Sequence, residues 1–71
     1  MLDKTLLTQF IKRAELTQEA FASELGINNS TLFRKMTGES DFTRAEIQIA
    51  KKVLKLSLEE ADAIFFAKTL A

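Results

Sequence analysis

Four times in 71 residues an apolar side chain is followed by a capping residue and, four positions beyond the cap, by a second apolar side chain. The four are Leu16-Thr17 with Phe21, Ile27-Asn28 with Leu32, Phe42-Thr43 with Ile47, and Leu56-Ser57 with Ala61. In each, the cap oxygen satisfies an orphan backbone N–H, and the flanking apolar pair fixes the angle at which the chain enters a helix. Glu46 after Thr43 and Glu60 after Ser57 add the reciprocal half of a capping box. A chain carrying four such starts is confined to an all-α fold.

A fifth helix, the first in order, is predicted over about Asp3 to Arg13. Leu7, Ile11 and Ala14 recur at helical spacing, and Leu2, Leu6 and Phe10 widen the stripe. Lys12 and Arg13 suit the negative end of its dipole. Gly26 and Gly38 stand where left-handed residues would close the second and third helices. The fourth helix should bury Ile47, Ala50 and Leu54, with Ile49 and Val53 beside them and Lys51, Lys52 and Lys55 in solvent. The fifth offers Leu58, Ala61, Ile64, Phe65 and Phe66. With no proline, two glycines and no linker or repeat, residues 1–71 read as one five-helix domain with tight connections.

Cysteine and histidine are absent. This excludes disulfides, thiolate metal sites and the commonest general base, and the carboxylates are accounted for as caps and exposed charges. The expectation is no metal, no cofactor, no small-molecule substrate and no enzymatic activity. No apolar run approaches the roughly 18 residues needed to span a bilayer, and no leader pattern opens the chain, so a cytoplasmic protein is expected.

Thr17 to Gly38 is the stretch with functional content. Two short helices are joined by a turn opened by Gly26, and the small Ala22 lies where a second helix could cross closely. That layout pushes one short helix out of a small body and into a DNA groove. In such a helix Asn29 can offer its amide to adenine, and Ser30 can donate or accept at several bases. Arg34 can fork onto guanine or fall back on a phosphate. Phe33 either meets a thymine methyl or packs against helix 4 or the end of helix 1. Asn28 is the cap of this helix. Lys35 and Arg44 lie where a phosphate strand would pass, or are ordinary solvated charges.

The segment resembles the helix-turn-helix of the Cro and lambda-repressor-like (XRE-type) family. The likeness is carried by Gln18, Phe21-Ala22, Leu25-Gly26-Ile27 and Leu32, and continues through Gly38, Phe42-Thr43 and Ile64-Phe65-Phe66. It therefore covers nearly the whole chain. T-L-F-R-K-M-T-G followed by S-D-F-T-R-A-E-I is similar to small regulators of prophages and mobile elements in Gram-positive bacteria. The resemblance implies a five-helix lambda-repressor-like domain with the helix-turn-helix at helices 2 and 3. Its function would be that of a sequence-specific transcriptional regulator, a repressor acting by operator occupancy. Base contacts would come from Asn29, Ser30, Phe33 and Arg34, and phosphate contacts from Gln18, Asn28, Lys35 and Arg44. The chain departs from the commonest family versions in having only two basic residues on helix 3 and acids at Glu39 and Asp41.

Ile64, Phe65 and Phe66 are consecutive, so one helix face cannot bury all three. Phe66 with Leu70 is expected to form a homodimer surface matching a palindromic operator; alternatively the chain end folds back over it. Ten basic residues balance ten acidic ones, an unusual sum for a nucleic-acid binder. That balance keeps two other readings open: a protein-interaction module (antirepressor or assembly factor) and an architectural excision or recombination factor.

Overall fold

Each expected start is built with the bond its sequence implies. The computed structural model describes residues 2–66, and among these it forms five α-helices and no strand. They are α1 (Lys4–Arg13), α2 (Gln18–Leu25), α3 (Asn29–Met36), α4 (Arg44–Val53) and α5 (Leu58–Phe65). Thr17 Oγ1 accepts from the Ala20 N–H at 3.0 Å, and Asn28 Oδ1 from the Thr31 N–H at 2.7 Å. Thr43 and Ser57 accept from the N–H groups of Glu46 and Glu60, whose carboxylates accept from the cap N–H groups in return. Asp3, expected as the first residue of helix 1, is instead its cap, accepting from the Leu6 N–H at 3.0 Å. A short carboxylate satisfies an orphan donor there, which it could not do inside the helix.

Three helix ends repeat one geometry. Glu15, Gly26 and Lys55 take left-handed conformations at φ 61°, 78° and 53°, and the apolar residue after each donates five residues back. Those bonds run from Leu16 to the Ile11 carbonyl, from Ile27 to Ala22 and from Leu56 to Lys51. The same three apolar residues precede the caps of the following helices, so each closes one helix and opens the next. A Cβ built on Gly26 would meet nothing within 4 Å, so this glycine answers a backbone need and not a close approach.

α2 lies at the centre, packed against α1, α3 and α4, while α1 also packs on α5. Phe21, Leu7, Leu32 and Ile64 are fully buried, and Ala22 is buried on the α2 face where its small side chain lets neighbouring helices approach. Ala50 and Leu54 are buried as their spacing predicts, and Ile47, Ile49 and Val53 are half-buried against the core. Leu58 departs from expectation. As the first residue of α5 it points off the packed stripe and is 73% exposed. The Asp3 N–H donates to the Ile64 carbonyl at 2.8 Å, and Phe42 meets Phe65 edge-to-face at 5.3 Å. Arg13 stacks on Phe10 and reaches both the Leu54 carbonyl and Glu60 at 3.4 Å, tying α1 to the α4–α5 turn. No described helix is long and apolar enough to cross a membrane.

Candidate nucleic-acid interface

α3 has two faces because its apolar residues sit three and four apart. Leu32, Lys35 and Met36 are buried, which leaves Asn29, Ser30, Phe33 and Arg34 exposed as one stripe on the opposite side. The cap at Asn28 fixes where this stripe begins. Gln18, the first residue of α2, donates from Nε2 to Asn29 Oδ1 at 3.3 Å, which couples the starts of the two helices. Asn29 thereby keeps its own NH2 group as a donor. Gln18, Asn29, Ser30, Phe33 and Arg34 line one shallow depression together with Glu39.

The chemistry of this depression is varied within a small area. It holds two side-chain amides, a hydroxyl, a guanidinium fork, a carboxylate and an aromatic ring 53% exposed to solvent. Base edges in a major groove present matching partners, including the cytosine amino group for a carboxylate. Phe33 is not packed away against helix 4 or the end of helix 1. Its ring lies 5.6 Å from the ammonium of Lys4, at the start of α1. Lys4 carried no functional signal in the sequence, since only the fold brings α1 beside α3.

Other expected contacts fall elsewhere. Lys35 is a correction: it is neither a phosphate contact nor a solvated charge, being only 8% exposed. Its Nζ donates to the Asp41 carbonyl at 2.8 Å, pairs with Glu46 Oε1 at 2.9 Å and lies 5.8 Å from the Phe42 ring. A latch between α3, the following loop and the start of α4 thus consumes this cation. Burial works to raise the Glu46 pKa, but the Thr43 N–H and the Lys35 ammonium outweigh it and hold the group below its ordinary value. Asn28 is exposed with its oxygen occupied by the Thr31 N–H, leaving its NH2 group to meet an anion. Arg44 is exposed at the first position of α4 and lines a separate depression with Ile47, Leu58 and Phe66. Phe66 is 54% exposed there, whereas Leu70 lies outside the described residues.

Among the described residues no group of histidine, cysteine or carboxylate side chains is arranged to hold a metal ion. No family model matches the chain, and no curated protein or solved structure matches it.

Proposed function

We propose that this chain is a sequence-specific DNA-binding regulator of the lambda-repressor-like helix-turn-helix kind, α2 and α3 forming the motif. It represses by occupying an operator. The observation that carries the reading is the sidedness of α3: its apolar residues and its one buried lysine anchor it, while Asn29, Ser30, Phe33 and Arg34 stand outward beside Gln18. In this reading the four α3 residues meet base edges, and Gln18, Asn28 and Arg44 meet phosphates. The protein works without cofactor or catalysis. It acts as a homodimer through the face around Phe66, on half-sites about one DNA turn apart.

One observation favours a different reading. Glu39 lines the same depression as Arg34, and the chain's charges sum to zero, which suits a protein partner better than a phosphate backbone.

Selection of bound sequences from a random duplex pool, followed by salt titration on selected and random duplexes, decides between them. The regulator enriches a defined site and prefers it by about a thousandfold or more. An interaction module enriches nothing. On the selected site Arg34→Ala relaxes the preference at one base position, by about 1–3 kcal/mol of discrimination. Equal loss on every duplex would make Arg34 a backbone contact instead.

A further inference from the structure

We propose that Lys4 is a phosphate contact of the α3 surface, supplied from α1 and steadied by Phe33. The inference rests on the DNA-binding reading and extends its interface to an element outside the two-helix motif. Its starting point is the position of the ammonium 5.6 Å from a ring that itself stands exposed on the outward stripe of α3. A cation over an aromatic face is attracted by the ring quadrupole, so Phe33 holds Lys4 at the edge of that stripe.

Helix stability does not account for a lysine at this position. Lys4 is the first residue of α1, at the positive end of the helix dipole, and the first turn of α1 holds no acidic residue. The first turns of α2, α4 and α5 all carry glutamate, whereas those of α1 and α3 carry none. Asp3 is next in sequence, but its carboxylate accepts from the Leu6 N–H. Among the described residues, ion pairs join Arg13 to Glu60 and Lys35 to Glu46, and no carboxylate lies within pairing distance of Lys4.

Charge balance gives the contact its purpose. With Lys35 withdrawn into the latch, Arg34 is the one basic side chain that α3 itself exposes. A helix lying in a major groove is bordered by the phosphates of both strands, and Lys4 puts a second cation beside the helix without crowding its base-facing residues.

The test uses the full chain and a duplex selected from the random pool, with binding measured over a series of salt concentrations. Lys4→Gln is expected to weaken binding to selected and random duplexes alike and to flatten the slope of log K against log[salt] by about 0.9. Lys4→Arg should keep the slope, and thermal melting of both variants should match the wild type. An unchanged slope in a folded Lys4→Gln variant, beside a wild type whose binding falls with salt, overturns the Lys4 contact and leaves the DNA-binding reading standing. A wild type that binds no duplex overturns both.

Discussion

Lys35 and Glu46 carry opposite charges at a site largely closed to water. The pair is nine-tenths covered, and each partner holds a second bond: Lys35 to the Asp41 carbonyl and Glu46 to the Thr43 N–H. Removing the cation leaves both acceptors short, so Lys35→Met should cost about 2–3 kcal/mol. That loss should appear as a fall in Tm on the order of 10–15 °C for a domain this small. A folded Lys35→Met protein should nevertheless keep the wild-type salt slope in DNA binding, because its charge never reached the surface. The lowered pKa of Glu46 gives the acid side of the same argument. The unfolded chain binds this proton more readily than the native one. The stabilisation is therefore complete above the ordinary glutamate value and is lost as pH falls through the lower native value. Glu60 adds a change of the same sign, its carboxylate held low by the Ser57 N–H and by Arg13. Glu46→Gln should make the loss of Tm on acidification shallower than in the wild type, although its Tm at neutral pH starts lower. Lys35 could have been placed from the sequence: it lies three residues after Leu32 and directly before Met36, on the apolar stripe. What the sequence does not reveal is its partner eleven residues on, reached only once the loop is folded.

At the scale of elements, starts and ends differ in how local their causes are. A cap acts within four residues, so the entry points of α2, α3, α4 and α5 are legible from single side chains and their spacing. Two of the ends are not. Glu15 and Lys55 are ordinary residues in a backbone region that glycine or asparagine usually fills, held there because Leu16 and Leu56 must both turn inward. Such positions store strain that the turn at Gly26 avoids. Lys55→Gly should raise stability by about 0.5–1 kcal/mol. Gly26→Ala, at a site with ample room, should lower it by about 1–2 kcal/mol through the backbone alone. Urea titration of the two variants with unchanged m-values checks the pair; a stabilising Gly26→Ala would remove the strain argument. The outward stripe of α3 was legible as soon as its buried stripe was. The approach of Lys4 to Phe33 was not, since residues 4 and 33 have no local relation.

For the molecule as a whole, the distribution of apolar surface matters more than its amount. Phe33 lies on one face with the polar side chains of α3, while Leu58 and Phe66 stand exposed on another, beside Phe42 and Ile47. In the proposed dimer the second face would meet a second copy of the chain, and the first would stay free for DNA. Sedimentation should therefore show association that Phe66→Glu abolishes, with operator affinity falling in step. A wild type that stays monomeric at high concentration, with and without operator, would rule out the pairing. The turns between helices bear on how the domain comes apart. Leu16, Ile27 and Leu56 each hold a bond to the helix behind them while their side chains seat the helix ahead. No helix can fray at such a joint without unseating its neighbour, so these loop amides should exchange with deuterium as slowly as those of the interior, and only when the entire chain opens.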